Sequence, residues 1–231
     1  MIIGSLSENK ESEKRISITP DIAKKFISNG FQVLLETGFA EHLNISDKEF
    51  LREGCKFEKK ENILKQSDIV LQLNLLKETD LEFFQGNKIL IGNFESLQNA
   101  EKINKFKTKG ISVFSLELLP RITRAQSMDI LSSQANLAGY KAVIDSFAEF
   151  KKAIPMMMTA AGTISAAKVL VVGAGVAGLQ AIATAKRMGA IVFATDVRLA
   201  SKEQVESLGG KFLIVEGAEN LETEGGYAKE A

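Results

Sequence analysis

A single cysteine, Cys55, excludes an intramolecular disulfide and suits a reducing compartment. It lies in the segment 54–57, at the head of a strand-like piece, where a small buried hydrophobe is expected rather than a nucleophile. Histidine is as scarce. His42, in the loop 38–43, is the only one, and it reads as a surface residue rather than a proton carrier. No metal site is expected from so few soft ligands. An excess of one charge is also missing: 29 Lys and Arg balance 29 Asp and Glu. That balance argues against nucleic acid or an anionic membrane surface as the main partner. No basic, apolar leader follows Met1, so no signal peptide is read. The longest uncharged stretch, 153–185, is interrupted by Lys168, and each piece falls short of the roughly 20 apolar residues of a span. A cytoplasmic chain without a transmembrane helix is the expectation.

What is present is an alternation of strand-like and helix-like pieces. Apolar runs at 1–6, 31–36, 68–73, 88–92 and 111–115 read as strands, with helical segments between them. Thr19 followed by Pro20 starts one helix and Gly30 ends it. Ser46 with Glu49 caps another, which stops at Gly54. Alternation of this kind implies a parallel sheet covered on both faces. The pattern breaks at 116–124, and a long helix is expected from about 126 to 150. Met156, Met157 and Met158 are expected to form an apolar plug.

The run 169–172 enters a Gly-x-Gly-x-x-Gly turn made by Gly173, Gly175 and Gly178. An Ala-rich helix follows, then a second apolar run, 191–195, ending on Asp196. Strand, glycine turn, helix, strand and acid stand in the order a dinucleotide site requires. In that reading Gly173 allows the tight turn, Gly175 admits the pyrophosphate, and Gly178 lets the helix sit close on the strand. Asp196 accepts the adenosine ribose hydroxyls and repels the extra phosphate of NADP, so NAD(H) is the expected cofactor. A capping box at Ser201–Gln204 is expected to start the next helix, and 211–215 to form a third strand. A complete fold of this type has six strands, so the second domain reads as incomplete and the chain as truncated at its C-terminus. The fold class is α/β, with two Rossmann-like, doubly wound parallel-sheet domains, 1–131 and 132–231, joined by the long helix.

The segment 120–140, with 156–163, 180–187, 194–198 and 225–230, closely resembles the NAD(H)-binding alpha component of proton-translocating nicotinamide nucleotide transhydrogenase. That component belongs to the alanine dehydrogenase/transhydrogenase family. The resemblance implies that Arg121, Gln126, Asp129 and Ser132 grip the nicotinamide ring and its ribose. A guanidinium and an amide suit the carboxamide oxygen, while a carboxylate and a hydroxyl suit ribose hydroxyls or orient Arg121. It also implies that Gly173, Gly175, Val176 and Gly178 meet the pyrophosphate, and that Asp196, Val197 and Arg198 meet the adenosine ribose. Gly226 and Tyr227 match a mobile loop that closes over nucleotide. The implied reaction is direct hydride transfer, of the Si/Re-specific type, from NADH to NADP⁺ on a partner domain, coupled to proton translocation. The implied partners are a membrane-spanning component, an NADP(H)-binding component and a second copy of the chain, which places it on the cytoplasmic face of the inner membrane. Two alternatives stand beside this: a truncated NAD-binding remnant without turnover, and an alanine-dehydrogenase-like amino-acid oxidoreductase. The latter needs a lysine after the strand at 68 and a histidine after the strand at 88. This chain has Gln72, Leu73 and Asn74, then Gly92, Asn93 and Phe94.

Overall fold

The computed structural model describes residues 1–84, 86–120 and 122–214. The chain divides into two compact units, Met1–Asp129 and a second beginning at Ile130. The first unit runs β1 (Ile2–Ser5), α1 (Pro20–Ser28), β2 (Gln32–Glu36), α2 (Asp47–Arg52), β3 (Lys56–Glu58), α3 (Lys60–Gln66), β4 (Ile69–Leu71), β5 (Lys88–Gly92), α4 (Ala100–Thr108) and β6 (Ile111–Ser115). All six strands are parallel, in the order β3-β2-β1-β4-β5-β6. This is the doubly wound arrangement, and the order reverses between β1 and β4.

Alternation along the strands shows why both faces are covered. On β2, Val33 and Leu35 enter a cluster with Ile18, Phe39 and Phe50 from the connections on one side. Leu34, between them, enters the opposite cluster with Ile63, Leu64, Leu90 and Phe106. Period-two side chains that are apolar at every position can only be buried on two sides. The helix starts follow their local signals. The Thr19 hydroxyl accepts the Ile22 amide at 3.4 Å with Pro20 at the first helical position. Ser46 and Glu49 form their reciprocal box.

Cys55 is buried in the Phe39–Phe50 cluster, and burial pushes its thiol up to about 11. Native protein is therefore expected to react with a thiol reagent at least tenfold more slowly than urea-unfolded protein. Equal rates, followed by absorbance of the released chromophore, would contradict a buried thiol.

The second unit contains α5 (Ile130–Glu149), the antiparallel hairpin β7 (Met157–Thr159) and β8 (Gly162–Ile164), then β9 (Lys168–Val172), α6 (Val176–Arg187), β10 (Ile191–Thr195), α7 (Ser201–Ser207) and β11 (Lys211–Phe212). Three parallel strands in the order β11-β10-β9 form its sheet among the described residues. Val192 and Ala194 of β10 pack with Ala174, Ile182, Ala185, Val205 and Val143. Leu170 and Val172 on the other face of β9 are 59% and 79% exposed.

Three expectations about elements change. The long helix begins at Ile130, not near 126, because Thr123–Met128 forms 3-10 turns and Asp129 is extended at ψ 91°. The box at Ser201 does not form. Its cap position is Ala200, already helical at φ −59° and ψ −24°, whereas a capping side chain needs an extended residue there. The three methionines do not plug a core: Met157 and Met158 belong to the exposed hairpin strand, and Met158 is 74% exposed. Thr159 takes the Ala161 amide on its hydroxyl, so the turn folds back locally instead of inward.

Candidate functional site

The glycine turn joins β9 to α6. Gly173 has φ +95°, a backbone conformation that side-chain-bearing residues rarely hold, and its amide donates to Thr195 O at 2.8 Å. Gly178 lies in the first turn of α6, where a Cβ would run into the Gly173 carbonyl and touch Val171. Gly175 is different: it is extended at φ −74° and ψ −169°, and a Cβ there would meet open space. Open space above that backbone is what a pyrophosphate needs. The first amides of α6 have no acceptor within the helix, so they are available to an anion. Val176 begins α6 and is exposed.

Behind the turn, Asp196 follows β10. Its carboxylate is 6% exposed, and four donors converge on it. Oδ2 accepts the Ala174 amide at 2.6 Å and Arg198 Nη2 at 3.0 Å. Oδ1 accepts the Arg198 amide at 2.8 Å and Arg198 Nε at 2.9 Å. Burial alone would raise its pKa, but the Arg198 bonds and the two backbone amides outweigh that and hold it at about 2. The turn, the acid and the arginine are thus one bonded constellation. Val197, between the acid and the arginine, is exposed. The residues present fit the adenosine and pyrophosphate end of a dinucleotide.

Sequence reasoning missed Gly139. It faces α6 from α5, and a Cβ on it would strike the Ala177 carbonyl. No local pattern marks a helical glycine as a contact point. The close approach brings α5, which carries Ser132 in its first turn, onto the N-terminal turn of α6 within the second unit. Gln126 and Asp129 belong to the first unit: Gln126 is exposed in the 3-10 turn, and its carbonyl accepts the Asp129 amide at 3.2 Å. Arg121, Gly226 and Tyr227 lie outside the described residues.

The reversal point of the first sheet is closed by the chain itself. Gln72, just past β4, is buried, and its amide both accepts from Leu6 N and donates to Leu6 O, each at 3.1 Å. Glu8 takes the Leu73 amide at 2.7 Å and the Asn74 side-chain amide at 3.0 Å. Arg15 is held by Glu13 through Nε at 2.8 Å and Nη2 at 2.6 Å. That bond draws the Glu13 carboxyl down to about 2. A cavity of about 390 Å³ beside these strand ends is lined by Asn74, Asn93, Phe94, Lys77 and Lys102. Where an alanine dehydrogenase would place a lysine and a histidine, this chain has amides. His42, for its part, is half-buried and pairs its Nε2 with Lys14 O at 2.9 Å, a structural position.

Comparison with known proteins agrees with this geometry. The alanine dehydrogenase/PNT N-terminal domain matches residues 4–138, and the C-terminal domain of the same family matches 142–228. The chain is 47% identical along its whole length to an NAD(P) transhydrogenase alpha subunit of Rhodospirillum rubrum, covering 62% of that protein. The corresponding Rickettsia prowazekii alpha subunit gives the same identity and coverage. A transhydrogenase crystal structure from Sinorhizobium meliloti superposes with a TM-score of 0.88 at 46% identity, over 94% of this chain and 62% of that one. An L-alanine dehydrogenase structure, at 19% identity and a TM-score of 0.78 over 94% of this chain and 61% of that one, shares the fold. The chain spans about three-fifths of the length of the relatives it matches. With both of its domains matched, this chain belongs to the alanine dehydrogenase/PNT family.

Proposed function

We propose that this chain is the NAD(H)-binding component of a proton-translocating transhydrogenase. The observation that carries the reading is the bonded constellation of Gly173, Gly178 and Asp196, in a chain 47% identical to a transhydrogenase alpha subunit. In this reading Gly173, Gly175, Val176 and Gly178 cradle the pyrophosphate, with Asp196, Val197 and Arg198 at the adenosine ribose. Arg121, Gln126, Asp129 and Ser132 hold the nicotinamide end, and Gly226 and Tyr227 close over it. NADH is the hydride donor and NADP⁺, on a partner component, the acceptor: one C4–H bond breaks, another forms, and the electron pair travels with the hydrogen. Such a transfer asks the protein to position two rings, not to supply an acid or base. The lack of a histidine near the turn is consistent with that. A membrane-spanning partner would couple the transfer to proton movement, since no helix among the described residues is long and apolar enough to cross a membrane. A second copy of the chain would complete the assembly as a homodimer.

The test combines the chain with the membrane-spanning and NADP(H)-binding components and follows hydride exchange between NADH and an NADP⁺ analogue. Exchange that requires all components is expected. NADH binding without exchange would remove the transhydrogenase assignment and leave an NAD-binding protein. NADH formation from alanine and NAD⁺ is not expected, because Gln72 and Asn74 are spent on backbone and on Glu8.

A further inference from the structure

Asp196 presents an unusual situation for a ribose-binding acid. A carboxylate offers about four acceptor directions, and here four donors occupy them, two from the Arg198 side chain. Ribose hydroxyls can reach the carboxylate only by displacing that side chain, because the two backbone donors are fixed by the turn. Arg198, 19% exposed, therefore sits where the 2′ position of an adenosine ribose would arrive. A guanidinium there is the group that holds a 2′-phosphate in NADP-binding sites, and an acid there is the group that excludes it. This site contains both, bonded to each other.

We infer that Arg198 is the nucleotide-selecting partner of Asp196, a latent 2′-phosphate anchor that the acid keeps neutralised. This inference rests on the dinucleotide reading of the turn. With Asp196 in place, the arginine is paired and a 2′-phosphate meets a buried negative charge. With the acid removed, the same guanidinium, two residues along the chain, faces the incoming 2′ group unopposed.

The experiment measures NADH and NADPH binding to the 231-residue chain by calorimetry, for the wild type and three variants. Asp196→Asn keeps an oxygen for the Ala174 amide but cannot hold the guanidinium. It is expected to weaken NADH about tenfold and tighten NADPH about tenfold, so the preference ratio moves about a hundredfold. Asp196→Asn/Arg198→Met is expected to cancel the NADPH gain. Arg198→Met alone leaves every backbone bond of the turn intact; NADH should stay within about threefold, while NADPH weakens further. A ratio that does not move in Asp196→Asn, or a gain that survives in the double variant, overturns the inference while NADH binding by the wild type keeps the dinucleotide reading. If Asp196→Asn does not fold, Arg198→Met decides: equal losses for the two nucleotides would overturn the selecting role. Wild-type protein that binds neither nucleotide would sink the dinucleotide reading, and the inference with it.

Discussion

Replacing Gly178 with alanine is expected to destabilise the second unit by about 2 kcal/mol and to abolish NADH binding. The new methyl would point at the Gly173 carbonyl, a backbone atom that cannot move aside by changing rotamer, with Val171 behind it. Overpacking against a rigid neighbour costs about 3 kcal/mol. Alanine in place of glycine within a helix returns about 1 kcal/mol of propensity, so the clash wins. Relief requires α6 to lift off β9, which moves its first amides away from the anion they would meet. Gly175→Ala is the control that separates folding from binding. Its backbone is extended and a Cβ there meets nothing, so stability should stay within about 0.5 kcal/mol or rise slightly. The methyl would nonetheless stand in the space above the turn, and NADH should bind at least tenfold more weakly. Urea unfolding followed by circular dichroism, paired with calorimetry of NADH, reads both quantities. Loss of binding in both variants with loss of stability only in Gly178→Ala is the expected pattern. Unchanged binding by Gly175→Ala would mean that no ligand approaches the turn.

Local chemistry made the turn legible. Gly173, Gly178 and Asp196 are recognisable because strand, glycine spacing, helix and acid are close in sequence, and each role depends on neighbours a few residues away. The same holds for the Thr19 and Ser46 helix starts. What the sequence did not disclose is set by distant pairings. Gln72 binds Leu6 across 66 residues, and Gly139 matters only because α6 passes over it. Nothing local distinguishes them from an ordinary strand-end amide or helical glycine. Where a local rule misled, a neighbour's backbone was the reason: Ala200 is helical, so Ser201 becomes an interior helix residue. Asp196 lies between the two cases. Its place at the end of β10 was legible, but its capture by Arg198 was not, because an Asp-Val-Arg triplet carries no instruction to fold back on itself. That capture changes the expected selection against NADP from repulsion by one charge to competition within a pair.

The pair also sets how the protein meets acid. The folded pKa of Asp196, about 2, is depressed from the ordinary aspartate value of 3.8, so its contribution to stability is fully present above the unfolded value. It is lost as pH falls from about 4 through about 2. A shift of this size corresponds to about 2 kcal/mol, and the 6% exposure of the carboxylate leaves little solvent screening to reduce it. Glu13, held at about 2 by Arg15, titrates in the same window, so the acid limb of wild-type protein alone does not report on Asp196. The difference between wild type and Asp196→Asn does. Asn keeps the Ala174 bond and removes only the charge and its guanidinium partner, so the gap in unfolding free energy should be about 2 kcal/mol near pH 7 and close toward zero near pH 2. A gap that stays constant with pH would show that the carboxylate contributes through shape and not through charge. Saturating NADH should widen the gap near neutral pH. Binding stabilises by mass action only the protein that still offers an acceptor to the ribose, and Asp196 is that acceptor once Arg198 has moved aside.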